Sequence, residues 1–288
     1  MSVRAREGGD GPRAGGTCHR CPVSVPFPSF PLHRTARGRR AAYARPVLRI
    51  IDARTGQSVS AAPVRRGLTR VEVHASGYGT GSLRVLLVAD LLVRALELGG
   101  TPVWALLTGE RDQAELRAGA VALGARPFED SRDVGAGLGE AQVVHVAQES
   151  AAGPDGLVLA VAPVEGVTSP SAAWDTDPAA LRLALLAVRR GTALRLDEDA
   201  VSEARETLTR WRHAVADWAR RPSRPVPDPV RARLRHAWED DLDIPAVLAV
   251  LRTVETDPTL PDGARFETYA YADRLLGLDL ARDLGTLT

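Results

Sequence analysis

Polar and apolar residues alternate along Leu68-Thr69-Arg70-Val71-Glu72-Val73-His74, a two-residue period that predicts a half-buried strand. A glycine cluster follows: Ala75-Ser76-Gly77-Tyr78-Gly79-Thr80-Gly81-Ser82. The period then changes. Leu83, Leu86, Leu87, Asp90, Leu91 and Arg94 recur at helical spacing, and Gly99-Gly100 ends a helix that runs from about Leu83 to Leu98. Val103–Leu107 reads as the next strand, and residues 112–123 as a helix closed by Gly124. Val143–Val146 and residues 157–162 are further strands, and Val47–Ile51 is a short one ahead of them all. Strand, glycine turn, helix, strand opens a Rossmann-like half, whose parallel pairing requires helical crossovers.

The last third is patterned as helices throughout. Asp177-Pro178 is an N-cap with proline in the first turn, and Leu181, Ala184, Leu185 and Val188 form the stripe behind it. Asp197 or Asp199 opens the next helix. Its stripe is Val201, Ala204, Leu208, Trp211, Val215 and Trp218, spaced 3-4-3-4-3, which predicts a buried seam between helices. Residues 221–227 read as a linker. Asp228-Pro229 starts a third helix carrying Leu234 and Trp238, Asp243 a fourth with Val247, Leu248 and Leu251, and Phe266–Leu276 a fifth that stops at Gly277. The expected fold class is α/β plus all-α: a reduced Rossmann-like parallel sheet, residues 46–172, followed by a C-terminal helical bundle, residues 173–288.

Composition sharpens this picture in two ways. All 37 basic residues are arginine, so no ammonium can act as nucleophile, Schiff base or phosphate clamp. Charge is also unevenly placed. Residues 1–49 hold ten arginines against Glu7 and Asp10, while the remainder is mildly acidic. Residues 1–45, rich in breakers and without a period, are expected to be a disordered basic tail that could touch nucleic acid or an acidic surface. No continuous apolar stretch suits a signal peptide or a membrane span, so the expected compartment is the cytosol, with no membrane partner. The only cysteines, in Cys18-His19-Arg20-Cys21, lack the four-ligand pattern of a zinc site and the βαβ setting of a redox pair, and are expected to be incidental thiols.

Candidate chemistry gathers at the glycine turn. Gly77, Gly79 and Gly81 precede a helix N-terminus, whose free N–H groups suit a phosphate or carboxylate. The glycines recur every second residue, which departs from the G-x-G-x-x-G dinucleotide pattern, and no Walker A sequence exists. His74 ends the preceding strand, Ser82 lies at the helix start, and Arg84 sits in the first turn, where it could steady a bound anion. Asp90 reads as a structural helix charge. Asp130, Asp133 and His145 show no metal-ligand spacing, so no metal site is expected. No catalytic constellation can be assigned from spacing alone.

Four stretches resemble the C-terminal helical region of class I cysteine ligases, the group of cysteinyl-tRNA synthetase and the mycothiol-pathway ligase joining cysteine to glucosaminyl-inositol. They are Asp177–Ala187, Glu206–Val215, Asp240–Val250 and Asp273–Leu280. Residues 47–108 resemble the family's first βαβ unit, and Arg84 and Asp90 match the arginine and aspartate after its H-I-G-H signature. The resemblance implies ATP-dependent formation of cysteinyl-adenylate. The departures lie where that chemistry would be. The signature falls on Gly79-Thr80-Gly81-Ser82, without either histidine. The K-M-S-K-S signature cannot exist without lysine, and Val167-Thr168-Ser169-Pro170-Ser171 lies near its place. The family's H-Y-R reads Arg189-Arg190-Gly191. The family's strand-end cysteine, a zinc ligand that grips the substrate thiol, has His74 nearest to it, so zinc is not expected. Residues 109–160 are too few for the usual insertion and second half of the catalytic domain. Each lost donor to a transferring phosphoryl group is worth roughly 3–4 kcal/mol, and at least four are absent.

The expectation is a diverged, non-catalytic relative that retains nucleotide or aminoacyl binding, with ATP the cofactor in question. One alternative is an active ATP-dependent amino-acid ligase using Arg84, Arg189 or Arg190 at the phosphates. Another is a nucleic-acid-binding module acting through the basic arm. A protein partner and tRNA stay open.

Overall fold

The alternation of Leu68–His74 is realised as a central strand. Thr69, Val71 and Val73 are buried, while Leu68, Arg70, Glu72 and His74 lie half-buried on the opposite face. A computed structural model describes residues 47–63, 67–109, 111–130, 140–149, 156–166 and 177–285. The basic arm, Cys18, Cys21, the Val167–Ser171 stretch and both expected domain boundaries lie outside those residues.

In chain order the strands are β1 (Arg49–Ile51), β2 (Ser58–Ser60), β3 (Leu68–His74), β4 (Val103–Thr108), β5 (Glu129–Asp130), β6 (Glu140–Gln148), β7 (Leu157–Val161), β8 (Val164–Gly166) and β9 (Leu194–Leu196). The helices are α1 (Thr80–Leu98), α2 (Gln113–Ala122), α3 (Pro178–Leu186), α4 (Glu198–Trp218), α5 (Asp228–Glu239), α6 (Ile244–Thr256) and α7 (Asp262–Leu276).

The main sheet is wholly parallel, ordered β5-β4-β3-β6-β7. The chain starts in the middle, builds outward through β4 and β5, then returns to the other side of β3. That reversal is the topological switch of a doubly wound fold, and its crevice opens beyond the carboxyl ends of β3 and β6. The Rossmann-like sheet followed by an all-helical region is therefore the observed architecture.

Four short strands lie outside the main sheet, of which only β1 falls on an expected strand. β1 joins a separate antiparallel ribbon with β2, and β8 pairs with β9 beside the main sheet. The α7 helix begins at Asp262, four residues ahead of the expected Phe266.

One apolar core runs through both layers. α1 is buried along most of its length, and Leu83, Leu86, Leu87 and Leu91 sit in it with Val71, Val73, Val144 and Val146. Helix α4 brings the predicted stripe inward. Trp211 and Trp218 flank Tyr269 of α7 edge-on, with ring centroids 5.7 and 5.1 Å away. Both polar handles are satisfied: the Trp211 indole donates to Glu255 Oε2 at 2.9 Å and the Tyr269 hydroxyl to the Leu251 carbonyl at 2.9 Å. Asp177, Asp197 and Asp243 cap α3, α4 and α6 by accepting from Ala179, Ala200 and Ala246 N–H.

A buried ion pair fastens sheet layer to bundle. Asp90 of α1 and Arg182 of α3 have no exposed side-chain surface and meet at 2.6 Å. Arg94 reaches the same carboxylate at 2.8 Å, and Arg182 also donates to the Leu276 and Leu123 carbonyls. No helix among the described residues is long and apolar enough to cross a membrane.

Candidate functional site

The switch-point crevice contains the turn that the sequence singles out. Its floor is β3 running into Gly77–Gly81, with α1 starting at Thr80. Thr80 and Ser82 are buried, and no side chain caps the helix at Gly79. Two side chains of the chain itself already lie against this turn. The Tyr78 N–H donates to Asp112 Oδ2 at 3.0 Å. Asp112 adopts a left-handed backbone, φ 52°, at the start of α2, and its carboxylate makes no cap there. At Gly77, φ 154°, a side chain would meet that carboxylate at 3.3 Å. At Gly81, an added Cβ would fall 2.6 Å from the Gln148 amide nitrogen, so the terminal side chain of β6 closes over the helix start. An internal carboxylate thus sits on the turn that leads into α1, beside the helix end to which a guest anion would be drawn.

Arg84 is turned away from the crevice. Its guanidinium is 1% exposed and donates to four main-chain carbonyls: Ala162, Thr192 and Arg189 at 2.9 Å and Pro163 at 3.5 Å. Burial lowers its pKa to about 10, still cationic at neutral pH. It staples α1 to the β7–β8 turn and to the segment between α3 and β9. Arg190 is spent similarly, donating to Ala160 and Ile51 carbonyls and pairing with Asp241. Arg189 pairs with Asp243 and keeps half its side chain exposed. Of the sequence-singled residues, the structure therefore gathers His74, Gly77, Gly79 and Gly81 at the crevice and sends Arg84 into the interior.

His74 has company that sequence spacing did not reveal. Parallel pairing sets Glu72 opposite His145, and His74 opposite Ala147, on adjoining strands. The His74 Nε2 lies 3.1 Å from His145 Nδ1, which lies 3.2 Å from Glu72 Oε2; Glu72 Oε2 and His74 Nε2 are 4.0 Å apart. Arg70 holds the other carboxylate oxygen at 3.0 Å. Burial lowers the His74 pKa, His145 adds to the drop, and Glu72 opposes it, so the ring is neutral at pH 7. Such a set can hold a cation or relay a proton. A hollow of about 200 Å³ lined by Leu96, Thr101, Arg235, Trp238 and Tyr271 lies at the far end of α1, remote from this chemistry.

The scaffold is a Rossmann-like parallel sheet followed by an all-helical region, an architecture that by itself assigns no activity. Part of the chain is similar to curated ligases. The L-cysteine:1D-myo-inositol 2-amino-2-deoxy-alpha-D-glucopyranoside ligase of Segniliparus rotundus is 38% identical over 108 residues, covering 36% of this chain and 25% of the relative. That of Streptomyces griseus is 43% identical over 75 residues, 26% of this chain and 17% of the relative. That of Streptosporangium roseum is 37% identical over 114 residues, 37% and 26% respectively. The homology is distant and partial, and the chain matches about a quarter or less of the length of these relatives. No family model matches the chain.

Proposed function

We propose that this protein is a diverged relative of the class I cysteine ligases that has kept the crevice and lost adenylation. The observation that carries this is the fate of Arg84: the one cationic residue matching the first ATP signature region is committed to four carbonyls inside the protein. Arg190 is likewise engaged, and lysine is absent from the whole chain. Preorganised cationic donors supply most of the stabilisation in phosphoryl-type transition states, and these positions cannot supply it. What remains is a polar crevice beside a helix N-terminus, where a nucleotide or aminoacyl-type anion would bind against the repulsion of Asp112.

Calorimetric titration of the full chain with a stable cysteinyl-adenylate analogue tests the binding half. Saturable binding that weakens when Gly81 is replaced by Val supports it. An absence of binding at millimolar analogue would overturn it.

A further inference from the structure

We propose that Glu72, His74 and His145 form a site for one divalent transition-metal ion, with Zn²⁺ the best match. The donor atoms are two imidazole nitrogens and one carboxylate oxygen, all within 4.8 Å of one another. In tetrahedral zinc sites, bonds of about 2.0–2.1 Å place neighbouring donors about 3.3 Å apart. Here two of the three separations are 3.1 and 3.2 Å, and the third, 4.0 Å, involves the rotatable Glu72 carboxylate.

The hydrogen-bond inventory points the same way. His145 Nδ1 faces His74 Nε2 and Glu72 Oε2 together. It carries at most one proton, so it serves both neighbours only through a divided, weaker hydrogen bond. A cation accepts all three lone pairs at full strength.

The surroundings orient these donors. The Arg70 guanidinium lies 3.0 Å from Glu72 Oε1 as an ion pair, which draws that oxygen away and leaves Oε2 toward the rings. The Cδ2–Nε2 edge of His145 lies against Gly156, so its Nδ1 edge is the one presented to Glu72 and His74. All three residues sit on one face of β3 and β6, at the switch point where open α/β sheets bind ligands. Three protein donors leave a coordination position for water or a guest.

The donor set is this chain's own. The resemblance places a thiol at the strand end, whereas residues 47–288 contain no cysteine, and it assigns no role to Glu72 or His145. The proposal goes beyond the adenylate reading, since metal binding is measured without nucleotide.

The full chain, stripped with a chelator, is titrated with Zn²⁺ against a chromophoric competitor and with Co²⁺ in the visible range. The expected result is one equivalent bound, with four-coordinate Co²⁺ bands and no thiolate charge-transfer band. Glu72→Gln and His145→Gln should each weaken binding at least tenfold while the far-ultraviolet circular dichroism is unchanged. Arg70→Gln should weaken it by roughly 10- to 100-fold. A Cys18→Ser/Cys21→Ser variant should bind as the parent does. If His145→Gln unfolds, Glu72→Gln at its half-buried position decides alone. Absence of stoichiometric binding, indifference to Glu72→Gln, or loss in the double cysteine variant would overturn the proposal.

Discussion

Arg84 shows how one side chain can look functional in a sequence and be architectural in the fold. Its place in the first turn of a helix after a glycine cluster suggests an anion contact. The carbonyls of Ala162, Arg189 and Thr192, which claim it, are about 80 to 110 positions away and leave no trace in local pattern. Arg84→Met should therefore cost about 3 kcal/mol or more, because several charge-assisted hydrogen bonds are lost and buried carbonyls left unpaired. Denaturant unfolding measures this, and a variant as stable as the parent would contradict the staple. Asp112 acts in the opposite sense. Its carboxylate occupies the approach to the glycine turn, and like charges about 4 Å apart in water repel by about 1 kcal/mol. Asp112→Asn keeps the acceptor for Tyr78 and removes the charge, so the adenylate analogue should bind about fivefold tighter by calorimetry.

Elements with a strong period were legible. The alternation of β3 and the stripe of α4 each specify which residues go inward, and the caps at Asp177 and Asp243 follow from a short acceptor placed ahead of an apolar run. β2, β8 and β9 were not legible, because three residues carry no period and their pairing is set by distant partners. The Glu72–His145 juxtaposition failed for the same reason: 73 positions separate them, and only the β3–β6 register joins them.

Two predictions belong at this scale. The fully buried Asp90–Arg182 pair joins α1 to α3, and Arg182→Met leaves the Asp90 carboxylate Arg94 as its remaining cation, so it should cost about 3 kcal/mol. The double variant Asp90→Leu/Arg182→Met should recover part of that in chemical denaturation. Asp177 offers a pH test. Burial would raise its pKa, but hydrogen bonds from Arg212 and Ala179 and the charges of Arg212 and Arg282 hold it below the usual carboxylate value. The unfolded chain therefore takes up this proton first, and the stability it contributes is complete above about pH 4 and lost as pH falls through the folded value. Asp177→Asn keeps the cap and loses the charge, so it should be about 1–2 kcal/mol less stable at pH 7, with the gap closing in acid. A gap that stays constant down to pH 2 would contradict this.

At the scale of the molecule, the apolar core is continuous from the sheet into the helices through α1, α3 and α4. Arg84 and Arg190 are held in internal bonds, and the crevice presents two imidazoles and a carboxylate; the proposed loss of adenylation rests on that lining. Fold class was legible because it rests on periodicity. The chemistry of the crevice was not, because it rests on which strands become neighbours.

Cysteine-dependent exchange of labelled pyrophosphate into ATP, run with the full chain at saturating magnesium, decides whether adenylation has been lost. Exchange should run no faster than in the absence of protein, with cysteine or any other amino acid. Exchange above that background, dependent on cysteine and proportional to protein concentration, would contradict that loss.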